Sequence, residues 1–174
     1  VMAMTDRQRK LLRIANLAAF YRANPHRYVK DFLHINLKLF QKMLIFLMNV
    51  SDYFMFIACR GIGKTFLTAV YCVVRCVLYP GTKICIAAGN RSQSINILEY
   101  IRDELMPNSP ELRAEIKDGP ITTAANAYVT FHNGSRIKVV TASDSSRGNR
   151  CNILVCDEFR MINENVITTV LRKF

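Results

Sequence analysis

The residues Cys59–Thr65, CRGIGKT, have the composition and order of a loop that binds phosphate groups. Gly61 and Gly63 allow the backbone to curl, so that successive N–H groups can point inward at phosphate oxygens. Lys64 carries a point charge suited to the β- and γ-phosphates of a nucleotide, and the Thr65 hydroxyl can ligate Mg²⁺. These residue types in this order predict a nucleotide-binding loop.

One position departs from the usual pattern G-x-x-x-x-G-K-[ST], because its first glycine is replaced by Ala58. Alanine is compatible with the loop if the chain there keeps a negative φ. The heptad alone therefore leaves open a chance glycine turn before a helix. Its flanks favour the phosphate loop, because YFMFIA (Tyr53–Ala58) predicts a short buried strand and Phe66–Tyr79 predicts a helix.

A pair of carboxylates, Asp157-Glu158, has the chemistry that such a loop needs opposite it. The pair follows the apolar run Asn152–Cys156, which predicts a buried strand. Asp157 can hold the water shell of a Mg²⁺ ion opposite Thr65, and Glu158 can polarise a water molecule toward the γ-phosphate. The two halves lie 93 residues apart (157 − 64), and together they indicate nucleotide hydrolysis.

Gln41 is the polar exception in the apolar stretch Leu37–Val50, which predicts a helix fit for a protein core. It precedes Cys59 by 18 residues (59 − 41). Its amide can donate a hydrogen bond to N7 of adenine and accept one from N6. A glutamine that is merely exposed on this helix remains the alternative.

The remaining pattern alternates helices and strands, which predicts an α/β fold with residues 1–50 as a helical segment and 51–174 as the core. A capping box at Thr5 and Gln8 starts a helix that runs to Arg22 with one apolar stripe. The other predicted segments are helices at His26–Leu33, Ser92–Met106 and Glu164–Lys173, strands at Thr82–Gly89, Tyr128–His132 and Ser135–Thr141, an irregular stretch at 107–125 with a helical turn at Glu111–Lys117, and a polar loop at Ala142–Asn149.

The net charge of +11 is unevenly distributed, since residues 1–50 hold nine Lys and Arg and two acids. A basic balance of this kind suggests a polyanionic partner, nucleic acid first, with a solvated basic surface as the alternative. We find no membrane-spanning run and no signal peptide in the sequence. The six cysteines include no C-x-x-C pair, and we expect buried free thiols without a metal site.

Nearly the whole chain resembles the N-terminal ATPase domain of phage large terminase subunits, the motors that package double-stranded DNA into procapsids. An arginine at the second loop position, the missing first glycine, and an Arg-Gly before the Asp-Glu strand form the combination typical of that family. The segments that carry the resemblance are RANPHRYVKDFL (22–33), LKLFQKMLIFLM (37–48), CRGIGKT (59–65), AAGNRSQSINIL (87–98), SSRGN (145–149) and LVCDEFRMI (154–162).

The resemblance assigns a role to each candidate residue, with ATP and Mg²⁺ as cofactors. It implies that Gln41 reads adenine and that Glu158 is the catalytic carboxylate. It also implies that Arg147 reaches the nucleotide of a neighbouring subunit, although an ion pair that orders the loop around it is the alternative. The implied nucleotide-binding residues are Gln41, Arg60, Gly61, Ile62, Gly63, Lys64 and Thr65, the metal residues are Thr65 and Asp157, and the catalytic residues are Glu158, Lys64, Arg60 and Arg147.

The implied fold is a RecA-like P-loop NTPase of the additional-strand, catalytic-glutamate type, with a mostly parallel sheet flanked by helices. The implied partners are double-stranded DNA, other terminase subunits in a ring, the portal protein and the small terminase subunit, at the procapsid portal in the host cytoplasm and with no membrane. Further strands and a nuclease domain follow in that family. Because this sequence ends 16 residues after Glu158 (174 − 158), we expect a piece of a larger protein with an incomplete sheet.

Two other functions stay open at this point. One is a different nucleic-acid-dependent P-loop ATPase, such as a helicase-like or recombination motor. The other is a nucleotide-binding fragment that does not hydrolyse ATP.

Overall fold

The computed structural model describes residues 5–59, 61–88, 91–123, 126–141, 151–159 and 162. Three helices precede the glycine loop: α1 (Asp6–Ala23), α2 (Pro25–Phe32) and α3 (Leu39–Val50). The capping box predicted for α1 is confirmed, since Gln8 N–H donates to the Thr5 hydroxyl and Thr5 N–H donates to the Gln8 side chain. The apolar stripe of α1 lies exposed, and no residue of this helix is buried.

Helix α3 has the predicted helical structure, but its environment differs from the prediction of a core helix. Only Ile45 of α3 is buried, while Leu39 and Met43 are 76% and 58% exposed. The physical reason is that α3 packs on α2 and α4 along one face, so Leu44 and Met48 are partly buried there while the apolar side chains on the other face stay exposed. Apolar composition alone does not bury a helix.

The core forms around helix α4 (Lys64–Leu78), which follows the glycine loop as predicted and is buried along most of its length. It packs against α3 and against α5 (Arg91–Tyr100). Helix α5 continues into a π-helical turn (Ile101–Leu105) and then into α6 (Met106–Asn108) and α7 (Pro110–Glu115). The prediction that Leu98, Ile101 and Leu105 point inward is confirmed, because all three are buried in the main core cluster.

Five strands form one sheet in the order β2-β3-β4-β1-β5. Their bounds are β1 Lys83–Ala88, β2 Ile116–Thr122, β3 Ala127–Phe131, β4 Arg136–Thr141 and β5 Ile153–Asp157. β1 pairs in parallel with β4 and β5, whereas β3 pairs antiparallel with β2 and β4. The sheet of the described residues is therefore mixed, and its parallel part is the half that contains β1 and β5.

Strand β2 was missed by the sequence prediction, which assigned residues 107–125 to an irregular stretch. Gly119-Pro120 lies inside the strand, and both residue types argue against a strand. The sheet tolerates them because β2 is an edge strand with irregular register against β3. The predicted hairpin around Asn133-Gly134 is confirmed, since β3 and β4 pair across it.

The segment Tyr53–Ala58 is not the short buried strand that the sequence predicted. The structure shows no strand there, and Tyr53 and Ile57 are 96% and 87% exposed. A strand needs hydrogen bonds from a neighbouring strand, and no strand of the described chain pairs with this segment. Strand β5, predicted as buried, is half-buried for the same reason, because it lies at the edge of the described sheet.

The two sheet faces are covered unequally. Ile84 and Ile86 of β1 point into the main core beneath α4 and α5, and Cys85 and Ala87 point to the opposite face. Among the described residues, the opposite face carries only a small hydrophobic cluster, which includes Val140. The predicted loop Ala142–Asn149 and the predicted helix Glu164–Lys173 lie outside the described residues.

Two sequence-level expectations concern the whole chain. The six cysteines are free thiols, with Cys72, Cys76 and Cys85 buried, Cys151 and Cys156 half-buried, and Cys59 exposed. Among the helices that the structure describes, none combines the length and the apolar character needed to cross a bilayer.

Candidate functional site

The glycine loop has a backbone that few residue types adopt. Gly61 has φ +83° and Gly63 has φ +90°, both in the left-handed region. Gly63 is the residue that caps α4, and its carbonyl accepts a hydrogen bond of 2.9 Å from Leu67 N–H. Two left-handed residues directly before a helix N-terminus turn the backbone toward the end of the helix where free N–H groups and positive partial charge attract anions.

Lys64 is the first residue of α4, and its ammonium group bends back over the loop. Its Nζ donates hydrogen bonds to the carbonyls of Ala58 at 2.8 Å and Cys59 at 3.0 Å. These two carbonyls take no role in the sequence prediction, since a sequence motif carries no signal for backbone acceptors. They hold the cation beside the loop, and an arriving phosphate group can compete for the same three ammonium donors.

Gln41 lies against the loop although it is 22 residues from Gly63 in sequence (63 − 41). Its Nε2 is 3.9 Å from the point at which a Cβ on Gly63 would stand. Its Oε1 accepts a hydrogen bond of 2.9 Å from the backbone N–H of Lys38, the N-cap residue of α3. The cap fixes the carbonyl end of the amide, so that the NH₂ end lies on the side of the loop.

Strand β5 ends at Asp157, whose register partner is Ala88 at the end of β1. Asp157 is half-buried, and its Oδ1 accepts a hydrogen bond of 3.0 Å from the backbone N–H of Glu158. Glu158 is exposed and has φ +47°, a left-handed conformation that is uncommon for a residue other than glycine. This backbone turns the chain at the end of β5.

The charges of Glu158 and Lys64 both affect the pKa of Asp157. Burial raises the pKa of the Asp157 carboxyl, and the negative charge of Glu158 raises it further. The N–H of Glu158 and the positive charge of Lys64 act in the opposite direction and lower this pKa. The last interaction connects the end of β5 electrostatically with the start of α4, two elements that are far apart in sequence.

The residues fit the Mg²⁺ that the sequence resemblance implies. Mg²⁺ is usually held by one or two carboxylates together with substrate phosphates and water molecules. Asp157 supplies a carboxylate beside the charge of Lys64, and Thr65 lies half-buried in the first turn of α4. No group of three or more His, Cys, Asp or Glu side chains gathers in the described chain, which is compatible with a Mg²⁺ ion held mainly by phosphates and water.

The structure brings some predicted site residues together and leaves others undescribed. Gln41 lies beside Gly63 at the start of α4, and the positive charge of Lys64 lowers the pKa of Asp157 at the end of β5. The half-buried Ile62 lies between the two loop glycines. Arg60 and Arg147, both predicted as catalytic, lie outside the described residues.

A comparison with solved structures gave seven matching chains. One of them is the ATPase domain of the large terminase of Thermus phage P74-26, with a TM-score of 0.64 and 19% sequence identity. The match covers 83% of this chain and 62% of that chain. At this identity the likeness concerns the fold, and the chain has a terminase-like α/β fold that spans less than two thirds of the matched structure. No protein-family model matches the sequence, and no curated protein matches it.

Proposed function

Starting from the terminase-like fold, we propose that the chain is the ATPase motor domain of a phage large terminase, which hydrolyses ATP to drive packaging of double-stranded DNA. One observation carries the proposal: two left-handed glycines and Lys64 stand at the N-terminus of α4, and the charge of Lys64 acts on Asp157 at the end of β5. A chance glycine turn does not require a carboxylate pair at the neighbouring strand end.

In this proposal the loop binds the phosphates of ATP through backbone N–H groups of residues 60–65 and through the Lys64 ammonium. Lys64 leaves the carbonyls of Ala58 and Cys59 and transfers its hydrogen bonds to phosphate oxygens, a charge-assisted interaction that is stronger than one with a neutral carbonyl. Gln41 presents its NH₂ group beside Gly63 and reads the adenine base.

Thr65 and Asp157 would hold Mg²⁺, which when bound neutralises charge on the β- and γ-phosphate oxygens. Glu158 accepts a proton from the attacking water and orients it toward the γ-phosphate. The exposure of Glu158 at the sharp turn after β5 supports this role, because the carboxylate can reach a water molecule from solvent. Asp157 and Glu158 thus divide metal binding and proton transfer between two neighbouring carboxylates.

Arg60 and Arg147 complete the proposed site by stabilising charge that develops on the γ-phosphate. We propose that Arg147 acts on the nucleotide of a neighbouring subunit in a ring. Arg147→Ala and Glu158→Gln subunits, each inactive alone, should then regain turnover when mixed, because each retains the half that the other lacks. If mixed oligomers form and stay inactive, Arg147 acts within its own subunit or orders its own loop.

The wider assignments belong to the same proposal. Residues 1–50 form the helical segment that carries Gln41, and residues 51–174 form the P-loop core with its RecA-like, catalytic-glutamate architecture. Double-stranded DNA, further terminase subunits, the portal protein and the small terminase subunit are the proposed partners, at the procapsid portal in the host cytoplasm.

The decisive experiment measures nucleotide binding and phosphate release separately. Binding of a fluorescent ATP analogue by the folded chain, with phosphate release that requires Mg²⁺ and increases with duplex DNA, would support the proposal. Lys64→Ala serves as the control for both signals. A folded protein that binds no nucleotide at millimolar ATP would overturn it.

A second candidate function is a nucleotide-binding fragment without turnover, and one observation favours it. The segment Tyr53–Ala58, which leads into the loop, forms no strand and has four of its six residues exposed, so no sheet pairing among the described residues holds the entry to the loop. The same experiment separates the two candidates. Tight binding of the ATP analogue without phosphate release, in the presence of Mg²⁺ and DNA, identifies the inactive fragment.

A further inference from the structure

A second cationic site lies away from the glycine loop. A pocket of about 230 Å³ opens between α2, the link after it and the first turn of α3. Its lining residues are His26, Arg27, Lys30, Asn36, Leu37 and Lys42. Neither Gln41 nor any described residue of the glycine loop lines this pocket, so it is separate from the candidate nucleotide site.

The lining of the pocket is rich in cationic residues and contains no carboxylate. Four of its six lining residues are Lys, Arg or His, and none is acidic. Ion pairs among the described residues occur elsewhere, at Arg9, His34 and Arg102. Converging like charges destabilise a fold, and an anion in the pocket would remove that repulsion.

The pKa of His26 is shifted by the positive charges around the pocket. Partial burial lowers the pKa of its imidazole, and the positive charges of Arg27 and Lys42 lower this pKa further. Groups from two helices therefore act on one point, since Arg27 belongs to α2 and Lys42 to the first turn of α3. The N-terminal end of α3 adds positive partial charge of its own.

The donor set matches phosphate oxygens. Arg27 offers a planar fork for two oxygens of one group, Lys30 and Lys42 offer point charges, and the Asn36 amide can donate a further hydrogen bond. Several cations around one pocket favour a ligand with more than one negative charge over a single carboxylate. Successive phosphodiesters of a nucleic-acid backbone have this property.

We propose that this pocket binds backbone phosphates of double-stranded DNA, as an anion site separate from the glycine loop. The proposal rests on the proposed packaging function only for the source of the phosphate. Contacts to backbone phosphates would position the DNA without selecting its sequence.

The test compares the double variant Lys30→Gln, Lys42→Gln with the charge-matched control Lys10→Gln, Lys117→Gln, whose lysines are exposed and lie outside the pocket. Binding of a short duplex DNA is followed by fluorescence anisotropy without nucleotide, over a range of salt concentrations. Loss of two phosphate contacts should reduce the salt slope by about 2 and weaken binding about 10- to 60-fold near 0.1 M salt. The control should differ little from the wild type.

Inorganic phosphate is the second probe, monitored through the His26 imidazole by NMR, with His34 and His132 as internal references. Phosphate should move the His26 resonances and raise its pKa in the wild type and the control, and should do neither in the pocket variant. Equal losses of DNA affinity in both double variants would overturn the proposal in favour of diffuse electrostatics. A His26 response to phosphate with unchanged DNA binding would overturn DNA as the source.

Nucleotide binding is measured on the same pocket variant, so that failure of this site is distinguishable from failure of the proposed ATPase. Melting curves of both double variants confirm that each is folded. Retained binding of the ATP analogue together with lost DNA binding supports two separate anion sites. Simultaneous loss of both in a folded variant would show that the pocket belongs to the nucleotide site, which also overturns the proposal.

Discussion

Substitution of Gly63 by alanine should separate nucleotide binding from stability. Gly63 has φ +90°, and a Cβ there would meet only Phe66 and Gln41 atoms at 3.6 Å or more, which is ordinary contact. The expected effect is therefore backbone strain without a steric clash. A left-handed backbone costs an L-residue about 1–2 kcal/mol.

Whether this strain lowers folding stability or nucleotide affinity depends on whether the loop can relax in the free protein. The loop lies next to the exposed segment that ends at Cys59, so we expect the substituted alanine to leave the left-handed region in the free protein. Folding stability then changes little, and nucleotide binding must restore the strained geometry. A cost of about 1–2 kcal/mol corresponds to a roughly 5- to 30-fold weaker affinity for ATP.

Gly134→Ala is the matched control. Gly134 has φ +83° and nothing within 4 Å of its added Cβ, but its turn is held by the bond from Phe131 N–H to Ser135 O at 2.9 Å. This turn cannot relax without breaking the hairpin. We expect a loss of about 1 kcal/mol, after the smaller entropy of the unfolded alanine chain is counted, or about 2–4 °C in Tm. Affinity for nucleotide should be unchanged.

The assays are thermal melting followed by circular dichroism and anisotropy of a fluorescent ATP analogue with Mg²⁺. The strain should appear as lost affinity in Gly63→Ala and as lost stability in Gly134→Ala. If Gly63→Ala keeps both its affinity and its Tm, the left-handed conformation is not required at this position. A phosphate-binding role for the loop backbone would then be refuted.

Four further expectations follow from the same geometry. Lys64→Ala should abolish ATP turnover and lower Tm by no more than about 2–4 °C. The change in Tm is small because the two partly exposed hydrogen bonds of Lys64 to loop carbonyls contribute about 1 kcal/mol to stability. Loss of the melting transition would contradict this expectation. Glu158→Gln should keep ATP bound and slow hydrolysis by about 10²- to 10⁴-fold, and near-normal turnover would reject the role of general base. Burial is the main cause that raises the pKa of Asp157 above its ordinary 3.8, so the folded state binds the proton more tightly than the unfolded state. The free energy of unfolding should therefore fall as the pH rises from 3.8 through the raised pKa of the folded state. Asp157→Asn should therefore raise Tm at neutral pH, with the gain disappearing below pH 3.8, and a pH-independent difference would refute the cause. A thiol reagent at pH 8 should modify the exposed Cys59 at once. It should modify Cys72 only on unfolding, because this thiol is buried and burial raises its pKa to about 12. Mass spectrometry of digests distinguishes the two sites.

Features set by neighbouring residues were predicted from the sequence. The capping box of Thr5 and Gln8, the hairpin at Asn133-Gly134 and the helix after the glycine loop all occur as predicted. Each depends on hydrogen bonds or backbone preferences within a few residues, so the pattern contains its own cause. The same holds for the left-handed backbone at the loop glycines, although the role of that loop in binding nucleotide stays a prediction.

Features that need a distant partner were decided only by the tertiary structure. Tyr53–Ala58 has a strand-like composition but no neighbouring strand among the described residues, and β2 contains Gly119-Pro120 but finds β3. Local propensity is worth only about 1 kcal/mol in a strand, so pairing and packing outweigh it.

The site itself shows the same division. Residue types and the family resemblance predicted that Gln41 and Asp157 act together with the glycine loop, but the contact of Gln41 with Gly63 and the effect of the Lys64 charge on Asp157 appear only in the tertiary structure. These interactions depend on the packing of α3 on α4 and on the pairing of β5 with β1. The cationic pocket between α2 and α3 arises in the same way, because three cations and one histidine spread over 17 residues (42 − 26 + 1) line one pocket only when the two helices pack.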